Sequence, residues 1–139
     1  MTLDEAQALV SRGPFLRWLG LQVIDIGPDS ISAKARWRED WVANPVLDQT
    51  HGGILAALVD FAADFALLGS IGHPVPTIDL RVDYHRLAKQ GDLIAKGRVI
   101  KPGRQFSVCE ALVFDADERL VASGRGAFIT APKGDPAGT

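Results

Sequence analysis

Apolar residues recur at helical spacing over residues 3–12, at Leu3, Ala6, Leu9 and Val10, and Gly13-Pro14 ends that run before a short apolar turn through Phe15 and Trp18. The period then falls to two. Leu21–Ile26 reads as a strand, Gly27-Pro28-Asp29-Ser30 as a turn, and Ile31, Ala33, Ala35 and Trp37 alternate with Ser32, Lys34, Arg36 and Arg38. This predicts a hairpin with one face toward water. After a loop over 39–50 the pattern changes again. Ile54, Leu55, Leu58, Val59, Phe61, Ala62, Phe65, Leu67 and Leu68 cover nearly the whole circumference of a long helix, and a helix that is apolar all round must be enclosed. Four more strands are predicted beyond Gly72-His73-Pro74, near 76–87, 92–101, 104–115 and 119–130, with turns such as Lys89-Gln90-Gly91 and Pro102-Gly103 between them. In the first of these, Ile78, Leu80, Val82 and Tyr84 share one face and Asp79, Arg81, Asp83 and His85 the other.

A central helix of this kind needs a sheet around it, and six mostly antiparallel strands can supply one. The prediction is an α+β fold: a curled antiparallel six-stranded sheet wrapped around one long central helix, with a short N-terminal helical cap. A chain of 139 residues fits one domain, taken as 1–132, with 133–139 a flexible polar C-terminal tail.

Within that apolar helix only Asp60 and Asp64 are charged. A carboxylate in a buried helix costs several kcal/mol unless something pairs it or uses it. Asp60 is therefore the first candidate for chemistry, against the alternative that it pairs with an arginine. Asp64, one turn later, reads as a salt-bridge or helix-helix contact, or as a like charge acting on Asp60.

Charge and composition narrow the function classes. The formal net charge is −2 with both signs interspersed, so no basic stripe marks a nucleic-acid surface. Residues 54–71 could pass for a membrane span, but two central aspartates each add about 2.5–3.5 kcal/mol to insertion, and no membrane partner is expected. The first ten residues carry Asp4 and Glu5 and lack a basic start and an apolar core, which points to a cytoplasmic protein. The single Cys109 lies among apolar residues and reads as a packed strand residue in a reducing compartment. Three scattered histidines show no ligand spacing, so neither a metal nor another cofactor is expected.

Three sequence features carry a resemblance. They are His51-Gly52-Gly53 at the helix start, Leu58-Val59-Asp60 in its middle, and Pro76-Thr77-Ile78-Asp79-Leu80 at the next strand. In this order the chain resembles the hotdog-fold thioesterases, within them the phenylacetic-acid-degradation branch, over about residues 15–130. The resemblance implies an acyl-CoA thioesterase with Asp60, Gly52 and Thr77 as catalytic residues. His51, Gly53, Asn44 and Asp64 complete the candidate substrate-binding set. The family pattern places an asparagine six residues before the histidine with a glycine between. Here Asn44 stands seven before His51 with no glycine between, and Asn-Pro equally initiates a turn.

The residues can support that chemistry. Gly52 and Gly53 offer backbone N–H groups at the positive end of the helix for an oxyanion, with Gly52 the chosen donor, which agrees with its family counterpart. Asp60 serves as general base or nucleophile, and a departing thiolate needs little acid assistance. His51 reads as shaping or capping the helix. The resemblance places Thr77 near Asp60, orienting water, although alternation puts it with the polar face unless the strand start is bulged. Eight residues of helix separate Gly52 from Asp60, about 12 Å, so one carbonyl carbon cannot meet both from one chain. A site shared across a homodimer follows, and by resemblance a homotetramer. Arg86, Lys89, Lys101 and Arg104 are available for the nucleotide end of acyl-CoA, with solvated charge as the default reading. Two other functions remain: a hotdog hydratase or dehydratase, and a non-catalytic acyl-thioester-binding module.

Overall fold

The computed structural model describes residues 1–132; the predicted C-terminal tail, 133–139, lies outside the described residues. Helix α1 (Leu3–Val10) starts in a capping box, with Thr2 and Glu5 each bonding the other's backbone N–H. Pro14 opens the short α2 (Pro14–Trp18). Strands β1 (Leu21–Ile26) and β2 (Ser30–Ala35) form the expected hairpin, with Ile31, Ala33 and Ala35 buried and Lys34 exposed. After the core helix come β5 (Thr77–Tyr84), β6 (Leu93–Lys101), β7 (Phe106–Phe114) and β8 (Leu120–Ile129). The six long strands form one antiparallel sheet in the order β1-β2-β6-β7-β8-β5.

The loop predicted over 39–50 is more structured than its sequence suggests. It holds a 3-10 turn (Glu39–Trp41) and a miniature hairpin of β3 (Val42–Asn44) and β4 (Gln49–Thr50). Trp41 is wholly buried, and its carbonyl accepts the N–H of His51 at 2.7 Å. Thr50 N–H donates to Ala88 O, also at 2.7 Å. These two bonds fix the point from which α3 (Gly52–Phe65) and the following short helix α4 (Leu68–Ile71) depart.

The sheet closes on α3 because its inner face is built of small residues. Ala33, Ala95, Ala111 and Ala122 are buried there, and Gly97, Gly124 and Gly126 extend the same face. A Cβ on Gly97 would land on the Ala62 carbonyl, so that glycine lets helix backbone lie directly on strand backbone. Leu55, Leu58, Val59, Phe61, Ala62, Ala63 and Phe65 fill the enclosed side of the helix.

Enclosure is not complete, which corrects the expectation of a helix covered all round. Gly53 is exposed, and Ala56, Ala57, Asp60 and Asp64 are only half-buried. From Gly53 to Ala56 or Ala57, from either of these to Asp60, and from Asp60 to Asp64 the steps are three or four residues, so these positions form a single stripe that the sheet leaves open. The span Gly52–Ile71 has a mean hydropathy of 1.9, enough by length and composition to cross a bilayer, yet it is the core helix of this fold, 56% buried.

The two sheet edges also differ. At β1 the side chain of Gln7 takes the place of a neighbouring strand, its amide donating to Leu21 O and its carbonyl accepting from Val23 N–H. At the other end β5 has β8 as its sole strand partner among the described residues, leaving its eight residues as an edge beside the open stripe of α3.

Candidate active site

Asp60 lies on the open stripe of α3, and Thr77 Oγ1 donates to its Oδ1 at 2.7 Å. A β-bulge makes this bond possible. The pairing of β5 with β8 runs Thr77 to Phe128 and then Asp79 to Ala127, leaving Ile78 as the extra residue. The slip turns Thr77 to the same side as Leu80 and the wholly buried Phe128, toward the helix, while Ile78 is 54% exposed. The alternation that would have faced Thr77 outward stops at the bulge.

At the start of the helix, His51 is the N-cap residue and its Nδ1 accepts the N–H of Gly53 at 2.8 Å. This agrees with the capping reading of His51 and corrects the expectation of two free glycine donors. Gly53 N–H is engaged by its neighbour, whereas Gly52 N–H has no hydrogen-bond partner among the described residues. It is left pointing from the positive end of the helix dipole. Gly52 is held from the other side by Tyr84, whose hydroxyl donates to Gly52 O at 3.0 Å and whose ring would touch a Cβ placed there.

Beside Gly52 opens a cleft of ≈ 390 Å³ whose walls include Leu55, Tyr84, Arg86, Leu87 and Ala88. Sequence reasoning missed Tyr84 and left Arg86 as surface charge. Their common signal is position, since Tyr84 is the last residue of β5, the strand that begins with Thr77, and Arg86 follows two residues later. His85, between them, hydrogen-bonds Ser123 Oγ at 2.7 Å. A second cleft, also ≈ 390 Å³, lies on the outer face of the sheet against Arg81, Asp83, Glu110 and Arg125, and includes neither Asp60 nor Gly52.

Two further candidates face other tasks. Asn44 Oδ1 accepts the N–H of Val46 at 3.0 Å, so its side chain closes the tip of the β3–β4 hairpin. Asp64 is in no salt bridge among the described residues; its Oδ1 accepts the N–H of Val75 at 3.0 Å. Burial pushes its carboxyl up to about 7, against the lowering pull of that bond, with the Asp60 charge adding to the rise. Cys109 is buried on β7, and burial together with Asp64 pushes its thiol up to about 12, which removes it as a nucleophile. No group of His, Cys, Asp and Glu among the described residues is arranged to hold a metal ion.

Together these placements give a carboxylate held by a hydroxyl and an unpaired backbone donor, eight helical residues apart, about 12 Å. The sequence relationships point to one family. Residues 49–122 match the family described as Thioesterase superfamily. A solved structure of a thioesterase-superfamily protein overlays with a TM-score of 0.89 at 49% identity, covering 91% of this chain and 96% of the other. A Halobacterium salinarum protein provisionally named an esterase is 35% identical over 90% of this chain and 92% of its own length. Human acyl-coenzyme A thioesterase 13 is 28% identical over 86% of each chain.

Proposed function

Because this chain belongs to the thioesterase superfamily, we propose that it hydrolyses the thioester bond of an acyl- or aryl-acyl-CoA, giving the free acid and CoA. The observation that carries the proposal is the Asp60–Thr77 hydrogen bond on the one open stripe of an otherwise enclosed helix. The name of human acyl-coenzyme A thioesterase 13 supports acyl-CoA as the substrate class. The triplet His51-Gly52-Gly53 and the Thr77-Ile78-Asp79 strand start favour the phenylacetic-acid-degradation branch. Residues 1–132 act as one domain of a cytoplasmic enzyme.

The reaction divides between two protomers. Asp60 of one chain takes a proton from water, or attacks directly, while Thr77 fixes the carboxylate's orientation. Gly52 N–H of the partner receives the oxyanion formed as the carbonyl is attacked. Collapse of the tetrahedral species breaks the carbon–sulfur bond and releases the thiolate, which takes up a proton; after direct attack, water then cleaves the anhydride formed on Asp60 and frees the acid. The acyl group enters along the cleft beside Leu55 and Leu87, and Arg86 stands where a phosphate of CoA can meet it. The open β5 edge next to the open stripe favours a homodimer as the working unit, with a homotetramer as its larger form.

Complementation tests the shared site. Asp60→Asn removes the acid, and Gly52→Pro removes the donor at a first helical position, where proline is tolerated. Each variant alone should release no thiol from a panel of CoA thioesters. Co-expressed, they should recover about a quarter of wild-type activity, since half the dimers are mixed and each mixed dimer holds one intact site. No recovery from well-folded mixed dimers would refute the division. Saturable binding of thioesters with no turnover by the wild type would identify a binding module instead. Isotopic oxygen entering Asp60 in a single turnover would identify direct attack by the carboxylate; its absence would identify the base role.

A further inference from the structure

Asp60 and Asp64 stand four residues apart on α3, about 6 Å along one face. Val75 and Thr77 stand two residues apart on the extended segment that leads into β5, about 6.6 Å. The near-match lets both carboxylates bond the same segment: Asp64 Oδ1 accepts from Val75 N–H at 3.0 Å, and Asp60 Oδ1 from Thr77 Oγ1 at 2.7 Å. Resting on the hydrolase reading above, we propose that Asp64 is a positioning residue of the active site, which sets where Thr77 presents its hydroxyl to Asp60 by holding the backbone of Val75.

The segment is built to transmit that constraint. Val75 is flanked by Pro74 and Pro76, so its N–H is the only backbone donor across three residues, and Asp64 takes it. The proline at 76 fixes the torsion between the anchored amide and Thr77. Val75 is 7% exposed, and Pro76 O accepts the N–H of Ile129 at 2.9 Å, so the link is pinned to the sheet as well. Register is what the anchor protects. The bulge at Ile78 turns Thr77 toward the helix, and a strand start one residue out of register would face it to solvent. The polar groups around Asp64 are Asp60 on its own helix, His73 on the same segment as Val75, and Cys109 on β7. None of them replaces the Val75 anchor.

Three full-length variants test the inference, each assayed for kcat and KM on thioesters and for amide hydrogen exchange by NMR. Asp64→Ala should lower kcat about tenfold with little change in KM, because misplacing a reacting group by a fraction of an ångström suffices, and should speed exchange at Val75. Asp64→Asn keeps an acceptor oxygen and should restore both. Pro76→Gly should lower kcat while Val75 stays protected, since it slackens the link without breaking the anchor. Wild-type kcat in a folded Asp64→Ala or in Pro76→Gly would overturn the proposal, as would an Asp64→Asn that fails like Asp64→Ala. Should the wild type hydrolyse no thioester, the hydrolase reading falls. The exchange data then still decide: loosening of Val75 and Thr77 in Asp64→Ala but not in Asp64→Asn upholds the anchor, and unchanged exchange overturns it.

Discussion

Replacing Asp64 by Asn should make the protein more stable at pH 8 and leave it almost unchanged at pH 4. The side chain is half-buried and burial raises its carboxyl from the ordinary 3.8 to about 7. Between those two values the native state keeps a proton that the unfolded chain has already lost. Stability falls with rising pH wherever the native state binds more protons, so the loss builds from about pH 4, is complete near pH 7 and stays constant above it. A rise of about 3 units corresponds to about 4 kcal/mol at most, and partial solvent contact brings the expected effect to about 2 kcal/mol. Asn keeps the oxygen that accepts from Val75 and carries no charge to desolvate. Taking about 2.1 cal/mol/K per residue as the unfolding entropy of 139 residues, 2 kcal/mol raises Tm by about 7 °C. Urea melts of wild type and variant from pH 4 to pH 8, at one protein concentration, measure the difference directly, since every titrating group that does not interact with Asp64 cancels. A gap that does not change with pH, or a wild type more stable than the variant at pH 8, would refute the reasoning.

Gly97→Ala should destabilise the fold by about 3 kcal/mol, because its Cβ meets the Ala62 carbonyl and neither the helix nor the strand backbone can give way cheaply. Chemical denaturation reads this, and a cost below 1 kcal/mol would mean the helix can lift off the sheet. Tyr84→Phe loses the bond to Gly52 O while keeping the ring, and a neutral hydrogen bond of about 1 kcal/mol predicts roughly a fivefold fall in kcat/KM. An unchanged rate would show that Gly52 is positioned by His51 and the helix alone.

Legibility in the sequence followed the range of the interactions. Strand β1 and the start of α3 could be read because local alternation and a glycine break specify them without help from distant residues. The β3–β4 hairpin escaped because strands of three and two residues carry too little alternation to register. The Ile78 bulge could be posed only as the condition for Thr77 to face Asp60, and alternation could not locate it: a bulge is a mismatch between two strands, and the partner residues Ala127 and Phe128 lie about fifty positions away. Asp64 failed in the same manner. Its partner is a backbone N–H, which leaves no trace in side-chain chemistry, so spacing could suggest only a salt bridge, a helix contact or a like charge beside Asp60. The flanking prolines, which make that N–H the segment's sole donor, were present in the sequence and become informative only once the bond is known.

The same helix serves as core and as site, and the division between them has a physical origin. Seven small inner-face residues let the sheet approach α3 so closely that its enclosed side has no room for a polar side chain, let alone a substrate. Polar groups can survive only on the stripe the sheet cannot reach, and Asp60 and Asp64 both sit there, each engaged by the segment that enters β5. The helix start, by contrast, must be open for Gly52 to offer its N–H, and Tyr84 and the β3–β4 hairpin hold it there. An α-helix cannot bend its middle back to its own first turn, so the backbones of Gly52 and Asp60 stay about 12 Å apart, a gap that one aspartate side chain cannot close. If both act on one carbonyl, the second surface must come from another copy of the chain, and the unpaired edge of β5 lies beside the stripe where that copy would dock.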